Sequence, residues 1–449
     1  MNQRVTTLCL CAVLTAVSPT ATAAEPAAPT PAATCGRGHG SAMAEIACEI
    51  RHSLDDLPPG ALVVAAPLPA EPSVKNPAGL TARLSNVVAG ALGARASDEA
   101  AKLARARTLA SDAGTLVHLT PNLSHGDLQV AVDVYRVPKS FWDRVRDPEP
   151  SPSQHTFARR KLDAELRTFL PPVPLVAQHI DKAPTSEPDP VAVACGDANG
   201  DGAQEIVLVG RHRIQLGRIR SGRLLSSTTR SWTELSPLSR APLREPIASA
   251  VIREPGTVDV GLSDRLDGVR MQGDLVLTGK LGRRLPWAGG GCARVVGLSV
   301  RPEIEACTDG DAAPEVARMA GPADALAGAR VVQPNGSTRL IRAERSFNSS
   351  SVVVTDDRGK SARVEGVGAQ LAVGDPDGDG RPEILWGANT LTPGGDALIV
   401  STWQDDGRVT ERLRVGVPTG VRAIAVCDAE DTGMAPIVVA TRGAVWLVR

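Results

Sequence analysis

Two short acidic loops, each lying between two apolar runs, constrain the fold of this chain more than any other feature of its sequence. They lie in Val191–Val209 and Leu371–Leu385. Both loops carry Asp or Asn at positions one, three and five, Gly at position six and Glu at position nine. The residues concerned are Asp197, Asn199, Asp201, Gly202 and Glu205 in the first loop, and Asp375, Asp377, Asp379, Gly380 and Glu383 in the second. This repetition predicts that one strand–loop–strand unit is used several times.

Degenerate copies of the unit follow from the same spacing. Glu305–Met319 has Cys307 at position one, and Ala425–Val439 has Asp428 there but no acid at position nine. The interval between the first unit and the Cys307 unit is about twice the mean interval, which predicts a further copy, stripped of its acids, in Ile247–Leu262. Five units with a mean period of about 58 residues result.

Short strands dominate the chain from residue 190 to 449, and the first unit shows four of them. They are predicted at Val191–Cys195, Glu205–Val209, Ile214–Arg218 and Arg223–Thr228. Repeats of this length with four strands each are typical of β-propellers, whereas a β-sandwich would not need the same acidic loop between the same two strands. We predict five readable blades, or six or seven if 155–185 or 318–370 holds another. Because the chain ends on a third strand, Val173–His179 is expected to supply the missing fourth.

The first residues predict export. Arg4 is followed by the apolar run Leu8–Val17 and then by Ala21-Thr22-Ala23. This is the pattern of a cleavable secretory signal, assigned to residues 1–23. An apolar run of about ten residues is too short to cross a bilayer. We therefore expect a periplasmic or extracellular protein.

The remaining chain divides at Pro-rich segments into a small α+β domain followed by an all-β propeller. Residues 24–34 predict a Pro/Ala linker, 35–158 the α+β domain, 159–189 a connecting segment and 190–449 the propeller. A short connecting helix is expected in Phe157–Leu170. After an opening helix the first domain shows the order β-α-α-β-β, which resembles, in element order alone, the N-terminal modules of bacterial envelope proteins of the TolB and CsgG kind.

Six cysteines remain after the predicted signal, which indicates disulfide bonds in an exported protein. They are Cys35, Cys48, Cys195, Cys292, Cys307 and Cys427. Cys35–Cys48 is the most local pair and the predicted bond. Cys195 and Cys427 would meet if the first and last blades are neighbours at ring closure, which would leave Cys292–Cys307 as the third pair. Two separate buried thiols are the alternative for Cys195 and Cys427.

The arrangement strand, D-x-[DN]-x-[DN]-G-x-x-E, strand resembles the FG-GAP/VCBS repeat family, the calcium-loop propellers related to integrin α heads. The resemblance covers 190–449 and implies Ca²⁺ at the two complete loops. The implied ligands are the side chains of Asp197, Asn199, Asp201 and Glu205 with the carbonyl of Ala203, and the side chains of Asp375, Asp377, Asp379 and Glu383 with the carbonyl of Arg381. The Cys307 loop departs from the family at position one. The last loop is expected to bind nothing.

The chemistry of the loop supports calcium, which takes six to eight oxygen ligands at about 2.3–2.6 Å. An EF-hand is excluded, because position twelve is Leu208 or Trp386 rather than Glu and both flanks are strands. The alternative is that Asp, Asn and Gly simply form good turns. A bound ion is expected to be structural, holding the turn between two strands.

Composition narrows the function classes. The net charge of −1 gives no basic field for nucleic acid, and 4 Phe, 6 Trp and 1 Tyr offer little surface for stacking on sugars or bases. The chain contains no H-E-x-x-H, G-x-S-x-G or P-loop motif. We therefore predict a non-catalytic binding or scaffolding protein with a protein or carbohydrate ligand. The alternatives are a polysaccharide-active enzyme with its site in the propeller channel, and a subunit of an envelope complex.

Overall fold

The structure is a computed structural model that describes most of the chain after residue 39. The described residues are 40–69, 74–124, 126–138, 142, 145, 151–239, 246–253, 256–311, 313–314, 318–346, 349–429 and 433–449. The predicted signal (1–23), the linker (24–34) and Cys35 lie outside them. The signal and the Cys35–Cys48 bond therefore stay predictions.

The N-terminal domain is built on a mixed sheet of five strands in the order β2-β1-β3-β4-β5. Strand β1 pairs in parallel with β2 and β3, and β4 pairs antiparallel with β3 and β5. The elements in chain order are α1 (Ala42–Ser53), β1 (Leu62–Ala65), α2 (Pro77–Leu92), β2 (Arg95–Ala96), α3 (Leu103–Leu109), β3 (Thr115–Ser124), β4 (Asp127–Arg136), β5 (Gln154–Lys161) and α4 (Ala164–Arg167). The predicted α+β domain is thus confirmed.

Helices α1 and α2 pack against this sheet because both are amphipathic and well capped. The Ser41 side chain accepts a hydrogen bond from the Ala44 amide at the start of α1. Helix α2 ends at Gly93, whose left-handed φ of 65° favours glycine. The period-two pattern of β4 places its alternate apolar residues in the same core as both helices. These are Leu128, Val130, Val132 and Val134.

The prediction of a helix over Phe157–Leu170 is wrong. Residues Gln154–Lys161 form strand β5, which pairs with the free edge of β4, for example Ala158 with Val130. Only the single turn α4 (Ala164–Arg167) is helical, and the Asp163 side chain caps it. Pairing with an open sheet edge outweighs local helix propensity here. The boundary expected at residue 158 falls inside β5.

The rest of the described chain forms a propeller of six blades. Blade one is β7 (Pro190–Gly196), β8 (Glu205–Gly210), β9 (Arg213–Arg220) and β10 (Arg223–Ser231). Blade two is β11 (Ala248–Ile252), β12 (Thr257–Leu262), β13 (Gly268–Gln272) and β14 (Val276–Gly282). Blade three is β15 (Arg284–Pro286), β16 (Cys292–Val296) and β17 (Ser299–Glu305). Blade four is β18 (Ala323–Val332), β19 (Thr338–Ser346), β20 (Ser351–Asp356) and β21 (Ser361–Glu365). Blade five is β22 (Val367–Gly374), β23 (Glu383–Ala388), β24 (Ala397–Trp403) and β25 (Val409–Gly416). Blade six is β26 (Val421–Val426), β27 (Ile437–Thr441), β28 (Ala444–Val448) and β6 (Ile180–Pro184).

The first strands of the blades form the inner wall of the ring. Strand β7 contacts β11 and β26, and β22 contacts β18 and β26. A four-residue helix α5 (Trp232–Leu235) follows blade one, and a 3₁₀ turn (Pro393–Gly395) precedes β24. Among the described residues, no helix combines the length and the apolar character needed to span a bilayer.

The ring closes through a strand from the N-terminal side, as predicted, but not at the predicted position. Strand β6 pairs antiparallel with β28, from Ile180 opposite Val448 to Pro184 opposite Ala444. The prediction of Val173–His179 is therefore wrong. Pro174 lacks the amide that a strand interior needs, and the Gln178 amide donates instead to the terminal carbonyl of Arg449.

Two disulfides fasten the propeller. Cys195 at the end of β7 is bonded to Cys427 just after β26, with an S–S distance of 2.05 Å. This bond joins blade one to blade six, so of the two alternatives for these cysteines the ring-closing disulfide is the one that forms. The second bond, Cys292–Cys307, spans 15 residues.

The blade assignment from sequence is partly confirmed. The acid-free copy predicted in Ile247–Leu262 is the pair β11–β12, and the interval 318–370 holds blade four, which raises the count to six. The copy assigned to Glu305–Met319 is wrong, because its loop follows β17, the third strand of its blade. The segment was assigned because its Pro314-Glu315 pair matches Pro382-Glu383 of the Asp375 loop in sequence.

Candidate metal centre

The blade-five loop, residues 375–383, brings three carboxylates together. It connects β22 to β23, whose pairing of Gly374 with Glu383 fixes both ends of the turn. The ligand oxygens of Asp375, Asp377 and Glu383 all lie within 4.8 Å of one another, and within the described part of the chain this is the one group of three potential metal ligands so placed. Two of the four acidic side chains that the sequence predicts as ligands, Asp377 and Glu383, are buried.

Glycines in the blade-five loop allow this convergence. Asp375 accepts hydrogen bonds from the amides of Asp379 at 3.1 Å and Gly380 at 2.9 Å, which fold the chain around its carboxylate. Gly380 has a left-handed φ of 81°, and a Cβ there would lie 2.6 Å from Pro334 Cδ. Only glycine therefore fits position six.

Two carboxylate oxygens of this loop have no partner within the described chain. They are Asp377 Oδ1 and Glu383 Oε2, both buried. The other Glu383 oxygen accepts a hydrogen bond from Thr402 Oγ1 at 2.9 Å. Leaving a buried carboxylate oxygen unpaired costs free energy, so the arrangement fits a cation site in which these oxygens would be ligands.

The electrostatics of the loop point the same way. Burial, together with the charges of Asp377 and Asp379, raises the pKa of Asp375 well above its ordinary value. Burial, followed by the charges of Asp377 and Asp375, does the same to the pKa of Glu383. The pKa of Asp377 is raised by burial and by the charge of Asp379. A divalent cation is the species that would relieve this repulsion.

Asp379, also predicted as a ligand, lies at the edge of the group. Its Oδ1 accepts a hydrogen bond from the Arg381 amide at 2.7 Å, and its Oδ2 lies 3.5 Å from Arg381 Nε. The carbonyl of Arg381 stays a predicted ligand.

The blade-one loop, residues 197–205, has the same backbone plan but a different charge balance. Asp197 accepts from the amides of Gly200 at 2.7 Å and Gly202 at 2.9 Å, and Glu205 Oε2 accepts from the Ala198 amide at 2.9 Å. Asn199 and Asp201 are exposed. The loop is thus folded around Asp197, as in blade five.

A guanidinium lies where a cation would be expected in the blade-one loop. Arg218 on β9 forms ion pairs with both Asp201 and Glu205. Its hydrogen bond is the largest cause that lowers the pKa of Asp201, the reverse of the shifts in blade five. The sequence brings the predicted ligands of both loops into turns of one form, but only in blade five do three carboxylates converge with no arginine from the third strand between them. The carbonyl of Ala203 stays a predicted ligand.

The third and last loops are also accounted for by other partners. Asp311 is paired with Arg270 at 2.7 Å, and Cys307 is bonded to Cys292. In blade six the carbonyl of Asp428 accepts a hydrogen bond from Gln204 of the blade-one loop. The last loop therefore contributes a contact between blades.

The N-terminal domain covers the end of the propeller that carries the acidic loops. Arg167 of α4 donates a hydrogen bond to the Gly433 carbonyl at 2.9 Å, and a Cβ at Gly378 would meet Arg167 at 3.1 Å. A Cβ at Gly202 would meet the guanidinium of Arg159 of β5 still more closely. Both acidic loops are thus pressed against the β5–α4 segment.

A cavity of about 1040 Å³ lies inside the ring. Its wall is made mostly of small apolar residues of the innermost strands, such as Ala192, Ala250 and Ala327. Asp163 and Arg167 line it at the covered end. At the opposite end, where the innermost strands begin, Arg422 pairs with Asp189 at 2.9 Å and Arg345 with Asp324 at 2.6 Å.

Reasoning from the sequence missed Arg218, Thr402 and Arg167. A signal for the first was present, because Arg218 ends the predicted third strand of the first unit and the short hairpin turn places it beside Glu205. Thr402 is found only through the register of β23 with β24, which pairs it with Glu383. Arg167 comes from another domain, and its position depends on how the two domains pack.

Comparison with solved structures gives similarity at low sequence identity. A streptogramin B lyase shares 9% identity over 60% of this chain and 97% of its own, with a TM-score of 0.34. TolB from Acinetobacter baumannii shares 11% identity over 81% of this chain and 95% of its own, with a TM-score of 0.33. AofleA from Arthrobotrys oligospora shares 10% identity over 60% of this chain and 86% of its own, with a TM-score of 0.36. No protein-family model and no curated protein sequence matches the chain.

Proposed function

We propose that this chain is an exported, non-catalytic binding or scaffolding protein whose propeller is stabilised by one calcium ion in the blade-five loop. The observation that carries the metal assignment is the pair of buried, unpartnered oxygens, Asp377 Oδ1 and Glu383 Oε2. Oxygen donors alone, with no free thiolate or imidazole among the grouped ligands, favour Ca²⁺ over softer metals.

The residues of this chain have distinct parts in such a site. Asp375, Asp377 and Glu383 hold the ion, and Asp379 and the carbonyl of Arg381 complete the predicted set. Thr402 orients Glu383 by its hydrogen bond. Bound Ca²⁺ supplies positive charge that offsets the repulsion among these carboxylates.

Two features support the binding role. Most side chains of the cavity wall are small and apolar, and no histidine occurs among its described lining residues, which favours ligand binding over general acid–base catalysis. The end opposite the N-terminal domain carries two Arg–Asp pairs suited to a polar group of a protein or carbohydrate ligand. The two disulfides support an oxidising, extracytoplasmic location, in the periplasm or outside the cell.

A thermal melt with calcium and with chelator tests the metal. With a Kd of about 0.1 mM, about 10 mM Ca²⁺ would stabilise the fold by about 2.7 kcal/mol and raise the Tm by roughly 5 °C. Asp375→Asn should abolish this increase, while the matched variant Asp197→Asn in blade one should keep it. An unchanged Tm of the parent in chelator would refute the metal and leave the loops as ordinary turns.

A panel of immobilised glycans and peptides tests the binding role. The calcium-loaded parent should retain one class of ligand, and Arg422→Ala, at the cavity end opposite the N-terminal domain, should weaken the retention. Release of new reducing ends from a glycan by the parent would overturn the non-catalytic assignment and favour the enzyme alternative.

A further inference from the structure

The two complete acidic loops differ at one position on the neighbouring strand. In blade five, Glu383 at loop position nine pairs across the sheet with Thr402. In blade one, Ile206 pairs with Gly217, so the next residue of β9, Arg218, lies beside Glu205. The equivalent position of the third strand thus holds threonine in one blade and arginine in the other.

The arginine makes the contacts that a cation would make. Its guanidinium reaches the acids at loop positions five and nine, Asp201 and Glu205, at the same time. Thr402 carries no charge and reaches only Glu383. A guanidinium is charged at all accessible pH values and donates several hydrogen bonds in a fixed plane, so it neutralises the loop permanently.

The number of acids in each loop matches the residue that faces it from the third strand, which is Arg218 in blade one and Thr402 in blade five. Position three is the neutral Asn199 in blade one and the acidic Asp377 in blade five. The blade-one loop therefore has one fewer acid, together with an internal positive charge. The blade-five loop has the additional acid and no arginine on the third strand opposite position nine.

Blade two repeats the device independently of any complete loop. Asp259 on β12 is fully buried and pairs across the sheet with Arg270 of β13. The Arg270 guanidinium makes two hydrogen bonds to Asp259, at 2.8 and 2.9 Å. An arginine on the third strand, opposite a buried acid of the second strand, is therefore used twice in this chain.

We propose that the residue on the third strand opposite loop position nine decides whether a blade binds calcium, and that Arg218 is a built-in cation that keeps the blade-one loop metal-free. This rests on the proposed cation of blade five. It replaces the expectation of two calcium sites with one, and makes Arg218 and Thr402 the determinants of which loop is used.

Exchanging the two residues tests the inference. Isothermal titration of CaCl₂ into chelator-treated full-length protein should give one site per chain in the parent and two in Arg218→Thr. Thr402→Arg should give none. Arg218→Lys, which keeps the positive charge, is the matched control and should retain one site.

Each outcome is decisive. One site in the parent and still one in folded Arg218→Thr would overturn the role of Arg218 while leaving the blade-five site intact, and two sites in the parent would do the same. No site in the parent would refute the blade-five cation itself. If Arg218→Thr unfolds in chelator, the Ca²⁺ bound per chain is counted in protein refolded with Ca²⁺, since the blade-five ion alone would also stabilise the fold. Two ions per chain support the inference, and one counts against it. Thr402→Arg is an independent test, because calcium binding equal to that of the parent would contradict the proposal.

Discussion

Loss of the ring-closing disulfide should destabilise the protein more than loss of the local one. The perturbation is the double replacement Cys195→Ala with Cys427→Ala, compared with Cys292→Ala with Cys307→Ala. Replacing both members of each pair avoids a free thiol. Both bonds lie in the propeller, so one unfolding assay reports on both.

The expected magnitudes follow from loop closure. Cys195 and Cys427 are 232 residues apart, whereas Cys292 and Cys307 are 15 apart. The chain-entropy relation gives about 5 kcal/mol for the longer loop and about 3 kcal/mol for the shorter one at 25 °C. The ring-closing pair should therefore contribute about 2 kcal/mol more, as an upper estimate.

Equilibrium urea unfolding, followed by circular dichroism in saturating calcium, measures the difference. The ring-closing variant should show the larger loss of unfolding free energy. A loss equal to or smaller than that of the local variant would refute the reasoning, because it would mean that the β6–β28 pairing alone sets the stability of the closed ring.

Three further predictions concern the charges at the acidic loops. Glu383→Gln should stabilise the chelated protein by about 1–3 kcal/mol, because it removes a buried charge without a counter-ion. Glu205→Gln should instead destabilise it by about 1.5–3 kcal/mol, because it weakens the hydrogen bond to Arg218. Urea unfolding in chelator would contradict this if both variants changed the unfolding free energy in the same direction. Burial and the charge of Asp379 raise the pKa of Asp377, so its stabilising contribution in chelator is present below about pH 4 and is lost as the pH rises through the folded value. The Tm of Asp377→Asn relative to that of the parent should therefore increase as the pH rises above about 4, and a Tm difference that does not change with pH would contradict this. Arg167→Ala removes a positive charge near Asp375 and Asp377. Calorimetry should therefore show that calcium binds about five-fold more tightly, which is on the order of 1 kcal/mol. Weaker binding would instead mean that Arg167 mainly positions the loop.

The architecture was predictable where the sequence repeats a pattern. Two complete loops set the strand–loop–strand unit, and their spacing led to the acid-free blade two. The missing fourth strand of the last unit led to closure by an N-terminal strand. The spacing failed at blade three, because the inner strand there is only Arg284–Pro286 and its following turn has no acids. The acidic segment around Cys307 was therefore assigned to this blade's loop in its place.

The candidate site was only half predictable for a physical reason. The sequence identifies carboxylates that can converge, but whether they need a cation depends on what faces them from other strands and from another domain. Arg218 is 13 residues from Glu205 in a hairpin, so its role is readable once register is considered. Arg167 reaches the blade-five loop through domain packing, which no local pattern encodes.

A crystal structure grown with millimolar Ca²⁺ tests the central claim most directly. We expect an ion within about 2.3–2.6 Å of carboxylate oxygens of Asp375, Asp377 and Glu383, and a guanidinium between Asp201 and Glu205 in blade one. A blade-five loop that holds no ion under these conditions, with Asp377 Oδ1 and Glu383 Oε2 hydrogen-bonded to protein groups or water, would contradict it.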